Sequence, residues 1–151
     1  MRRLSWAGAV AIALAGGLWL TGCQKNDSAG GGADEIVLGF SQIGAESEWR
    51  TANTNSIRSA AADAGIRLKF SDAQQKQENQ IKALRSFIAQ RVDVIAFSPV
   101  VETGWETVLR EAKAAAIPVI VTDRAVDVPD ESLYVSLIGS DFVEEGRKAA
   151  R

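Results

Sequence analysis

Between Glu35 and Arg151 the sequence sets short apolar runs against longer amphipathic stretches, and the pair recurs four times with short links between. The first run, Glu35–Ser41, alternates Ile36, Leu38 and Phe40 with Val37, as a strand does. A helix is expected from about Glu48 to Ala64, with Trp49, Ala52, Ile57, Ala60, Ala61 and Ala64 as its packing stripe and Gly65 ending it. Strand two follows at Ile66–Ser71. The second helix runs to about Gln90 on Ile81, Leu84, Phe87 and Ile88. Val92–Phe97 is nearly continuous in apolar residues, the mark of a buried parallel strand. Thr103 and Glu106 fit a capping box for a third helix carrying Trp105, Val108, Leu109 and Ala112, with Trp105 expected in the core. Val119–Thr122 is strand four and Leu133–Ile138 strand five, and Asp141 is placed to cap a last helix. Strand–helix repetition of this kind implies an α/β fold, a doubly wound parallel sheet with helices on both faces.

That order decides where a ligand can sit. In such sheets ligands bind beyond the C-terminal ends of the strands. Three polar clusters fall there: Glu46-Ser47-Glu48-Trp49-Arg50 after strand one, Ser98-Pro99 after strand three, and Asp123-Arg124 after strand four. A simple turn would use Gly, Asn, Asp or Ser; the first cluster instead holds two carboxylates, an indole and a guanidinium. An indole face can cover the C–H face of a sugar ring, and forked guanidinium donors and carboxylate acceptors suit hydroxyl groups. Structural readings stand beside these. Trp49 could pack on the sheet, Asp123-Arg124 could be a cap with a surface ion pair, and Glu46 and Glu48 could complement a helix N-terminus. The run Gln74–Gln80 reads as a solvated helix start.

The N-terminus is of another kind. Arg2 and Arg3 precede an apolar run from Ala7 to Leu20, the pattern of a secretory signal. Leu20-Thr21-Gly22-Cys23 resembles a lipobox, and Cys23 is the sole cysteine, so residues 1–23 are expected to be a lipoprotein signal with lipid attachment at Cys23. Residues 24–34 are a Gly/Ser/Ala tether, and 35–151 the folded lobe. Without Arg2 and Arg3, fifteen basic residues face nineteen acidic ones, a net charge of −4 that excludes nucleic acid as a partner. The absence of histidine removes the commonest metal ligand and neutral-pH base, and no cofactor or metal is called for.

Several stretches together resemble a known family. The leader and tether, the polar ESEWR loop, QQKQENQIKALRSFIAQ, VDVIAFSPVVETGW and IPVIVTDR are similar to the periplasmic sugar-binding proteins of ABC transporters, of the ribose/galactose type, and to the galactofuranose-binding members in particular. The likeness spans Val37 to about Gly146. It implies two α/β lobes on a hinge, of which this chain is the N-terminal one with about as much again to follow. It also implies one monosaccharide in the cleft, galactofuranose or a related furanose or pentose, and no enzyme activity: the ligand is delivered to the permease and its ATPase unchanged. By the same resemblance Glu46, Ser47, Glu48, Trp49, Arg50, Asp123 and Arg124 contact the sugar, with Ser136 and Leu137 adding contacts near the hinge. Glu48 departs from the glycine of the family pattern. A glycosidase using Glu46, Glu48 or Asp123 is the rival enzyme class, but neighbouring guanidinium groups favour the charged carboxylate, the wrong state for a general acid. A sugar-sensing receptor of the same fold is the other alternative.

Overall fold

The computed structural model of the protein describes residues 35–151. The leader, the Cys23 lipid site and the tether lie outside the described residues. Five strands, β1 (Val37–Gln42), β2 (Arg67–Asp72), β3 (Val94–Phe97), β4 (Val119–Asp123) and β5 (Ser136–Gly139), form one parallel sheet in the order β2-β1-β3-β4-β5. Helices α1 (Glu48–Asp63), α2 (Gln77–Ala89), α3 (Glu106–Ala114) and α4 (Phe142–Ala149) alternate with them. Phe40 of β1 stacks on Phe70 of β2 beneath Arg58 of α1, whereas Gly39 lies under the Phe87 ring of α2, so the sheet is covered from both faces. Gly39 is needed for that approach, because a Cβ there would meet the ring at 2.6 Å. The main core, between sheet and α2–α3, gathers Leu84, Phe87, Ile95, Phe97, Trp105, Leu109, Val119 and Val121.

The expected fold is the observed one, with four local corrections. First, α1 does not pack on its alanine stripe. Ala52, Ala60 and Ala64 are exposed, and the inward face is Arg50, Thr54, Ile57 and Ala61, spaced at four, three and four residues. Second, Thr103 does not cap α3. Trp105 holds the N-cap position without a side-chain cap bond, because its buried indole decides where the helix begins: it lies 4.9 Å from the Phe97 ring and donates Nε1–H to Val101 O at 2.7 Å. Third, the fifth strand starts three residues late. Glu131–Leu133 form a 3-10 turn in which the Asp130 side chain accepts from Ser132 N, and Leu133 is drawn into the core. Fourth, the Gln-rich run is not wholly solvated, since Gln80 is fully buried. Asp141 caps α4 as expected, its Oδ1 accepting from Glu144 N at 2.9 Å.

Candidate functional site

The exits of β1 and β4 meet at the C-terminal edge of the sheet. After β1 the chain is held by Gln42, buried, whose Oε1 accepts from Ile43 N at 3.0 Å. The loop is pinned to the exit of β2 by Ala73 N to Gln42 O and Gln75 N to Ile43 O, at 3.0 and 2.7 Å. Ser47, in extended backbone, then caps α1: its Oγ accepts from Arg50 N at 3.3 Å. This hydroxyl, expected on a ligand, is thus already engaged in starting the helix.

Capping fixes the phase of the first turn. Arg50 falls on the inner face and is only 6% exposed. Its Nη1 donates to Asp123 Oδ2 at 2.8 Å, and its Nε lies 3.3 Å from Glu46 Oε1. Trp49, one residue earlier, is turned outward and 55% exposed, with the Arg50 guanidinium 4.8 Å from its ring centroid. Packing of Trp49 in the core is therefore excluded; its position leaves indole surface open to solvent.

Asp123 is held by its backbone as well as by Arg50. Its φ is +68°, and Arg124 N donates to Thr122 O at 2.8 Å, which makes a γ-turn of the strained, positive-φ kind. The neighbouring strand leaves no slack. Gly139 is the register partner of Asp123, and a Cβ there would lie 2.6 Å from Asp123 O. Gly139→Ala is expected to displace the turn and cost about 1–3 kcal/mol of stability. A thermal melt checks it; an unchanged melting temperature would mean that the strand end yields freely. Arg124, its side chain 47% exposed, has Nε 3.8 Å from the same Asp123 Oδ2. Behind the turn, Ser98 Oγ and Thr122 Oγ1 are 2.8 Å apart and tie the exits of β3 and β4.

Most of the residues marked out by the sequence thus follow strand ends at one edge, distributed over three hollows. Trp49 and Asp123 line a cleft of about 390 Å³ with Asn53, Ile57, Ile138 and Ser140. Arg124 lines a second, of about 410 Å³, with Glu102 and Phe142. Glu46, Ser47 and Glu48 line a third, of about 500 Å³. Ser136 and Leu137 are not brought to this edge. They pair with Ile120 and Val121, and Ser136 lies three residues before Gly139, roughly 10 Å down the strand. Ile138, Gly139 and Ser140 take the place at the rim. A smaller hollow of about 260 Å³ at the opposite end of the sheet is lined by Ile117, Pro118, Leu133 and Tyr134 with Lys113.

Chemically, the ion-paired groups balance one another. Two guanidinium groups, Arg50 and Arg124, face two carboxylates, Glu46 and Asp123. Among the described residues Asp123 Oδ1 accepts no hydrogen bond. A neutral group of forked donors and open acceptors beside an exposed indole suits an uncharged ligand with several hydroxyls and one apolar face. Sequence reasoning missed Gln42 and Gln80, which build the edge from below. The signal for Gln80 was its spacing: with Ala83, Leu84 and Phe87 it makes the buried face of α2.

The chain is similar to known proteins. The model of the periplasmic binding protein domain family matches residues 38–151. The chain is 56% identical over 115 residues to the galactofuranose-binding protein YtfQ of Escherichia coli, covering 76% of this chain and 36% of that one. A Mycobacterium smegmatis protein solved in complex with β-D-fucofuranose is 66% identical, with a TM-score of 0.74 over 76% of this chain and 38% of that one. The binding component of the arabinose ABC transporter of Shewanella sp. ANA-3, solved with α- and β-L-arabinofuranose, is 60% identical, with a TM-score of 0.74 over 75% and 37%. The matched part is a little over a third of each of these relatives. With more than half of its residues inside the family model and the same parallel sheet, the chain belongs to the periplasmic binding protein domain family.

Proposed function

We propose that this chain supplies one wall of the sugar site of an extracytoplasmic binding protein that delivers a monosaccharide, a furanose such as galactofuranose, to the permease and ATPase of an ABC importer. The observation that carries the reading is the exposed Trp49 indole beside the buried Arg50–Asp123 bridge, at the edge where α/β sheets bind ligands. The relatives solved with furanoses give the sugar class. Covering half of the indole, roughly 100 Å², contributes about 2–3 kcal/mol. Charge-assisted hydrogen bonds from the arginines and Asp123 add about 1.5–3 kcal/mol each once water is excluded. Micromolar affinity needs about 8 kcal/mol net of immobilisation, which an edge open to water does not reach. A second lobe closing over the sugar is therefore part of the proposal. So is the absence of chemistry on the sugar: the site holds its ligand and releases it unchanged.

The test is a calorimetric screen of the full-length protein against furanose and pyranose sugars. Saturable binding of a furanose is expected, and turnover of a furanoside would overturn the binding-only reading. Arg124→Ala is expected to weaken sugar binding at least tenfold, because its exposed fork is free to turn toward a hydroxyl; a wild-type titration curve would return Arg124 to a surface ion pair. The proposal extends to Cys23 as the lipid-bearing residue holding the protein to the membrane. Cys23→Ser is expected to release it into the soluble fraction, and continued membrane attachment would point to an uncleaved leader.

A further inference from the structure

Gln80 is the only glutamine of the run Gln74–Gln80 with no exposed surface. It sits in the first turn of α2, beneath the exits of β1 and β3. Its Nε2 donates to Ser98 O at 2.6 Å and to Ser41 O at 3.4 Å, and its Oε1 accepts from Val100 N at 2.9 Å. Both amide hydrogens and the carbonyl are thereby used. Ser98 N donates in turn to Ser41 O at 3.1 Å. From Ser98 the hydrogen bonds continue: its Oγ meets Thr122 Oγ1, and Thr122 O closes the γ-turn that carries Asp123. An apolar side chain would fill this place without an amide to satisfy; a fully paired buried amide instead fixes the relative height of the groups it holds.

We propose that Gln80 is a positioning residue for the sugar site: it clamps the exits of β1 and β3 together and, through Ser98 and Thr122, sets the turn that presents Asp123 and Arg124. The proposal rests on the functional reading above. Gln80 itself touches no sugar, being sealed below the edge.

The test uses the full-length protein, with galactofuranose as titrant at a temperature well below each variant's melt, and hydrogen exchange at the Arg124 amide as a readout that needs no sugar. Gln80→Met is expected to weaken binding about tenfold and to speed exchange at Arg124. Ser98→Ala, which keeps the backbone clamp and removes only the link to Thr122, is expected to weaken binding about threefold and speed the same exchange. A Gln80 that merely stabilises the fold would lower the melting temperature and leave the Kd and the Arg124 exchange as in wild type, which overturns the proposal. Weaker binding with unchanged Arg124 exchange overturns it too. Should Gln80→Met not fold, Ser98→Ala decides alone by the same two readouts. A wild-type protein that binds no furanose overturns the functional reading, and exchange at Arg124 then still decides whether Gln80 sets that turn.

Discussion

Arg50→Ala in the full-length protein is expected to lose both stability and sugar binding. The guanidinium is buried between Glu46 and Asp123, and its bond to Asp123 at 2.8 Å joins the exits of two strands. Removing it leaves the Asp123 carboxylate, itself only 15% exposed, without its main counter-charge. Breaking a buried pair in this way costs about 3–5 kcal/mol, and the residual water around Asp123 places the expected loss at the lower end. Affinity is expected to fall at least a hundredfold, since Asp123 then no longer holds its place and one forked donor is gone. Arg50→Lys is expected to restore little, because a single ammonium cannot reproduce a fork that serves two carboxylates. Denaturant unfolding and sugar titration check both effects, and a variant with wild-type values in both would make the bridge incidental.

Trp49→Ala is expected to separate the two effects. The indole stands outside the core, so unfolding stability should change by less than about 0.5 kcal/mol. Loss of the stacking face should weaken sugar binding by tenfold or more, the counterpart of about 2–3 kcal/mol of burial. Trp49→Phe, which keeps a flat ring, should recover part of it. A destabilised protein with wild-type affinity would reverse the assignment and make Trp49 a packing residue.

Most of the sheet was legible because its strands are bounded by residues that cannot continue them. β3 ends at Ser98-Pro99, β4 begins after Pro118, and α1 stops at Gly65, whose φ of +67° suits the end of a helix. The fifth strand was harder. β5 is exposed along its length, so no burial pattern marked its start, and the buried Leu133 drew the expected strand into a 3-10 turn. The site was legible as a set of residue types at strand ends, but not as a geometry. Nothing local says that Arg50 pairs with a residue 73 positions away; only the strand order brings them together. Ser136 and Leu137 came from resemblance alone, and the register of β5 keeps them from the rim. Gln80 was hidden among polar neighbours, and the spacing of the apolar residues after it was the clue to its burial.

A crystal structure of the full-length protein grown with galactofuranose tests the central claim most directly. The sugar ring is expected against the Trp49 indole at van der Waals distance, with its hydroxyls on Asp123 and Arg124. A sugar bound at the opposite end of the sheet, or an occupied cleft in which Trp49 and Asp123 touch no part of it, would contradict the claim.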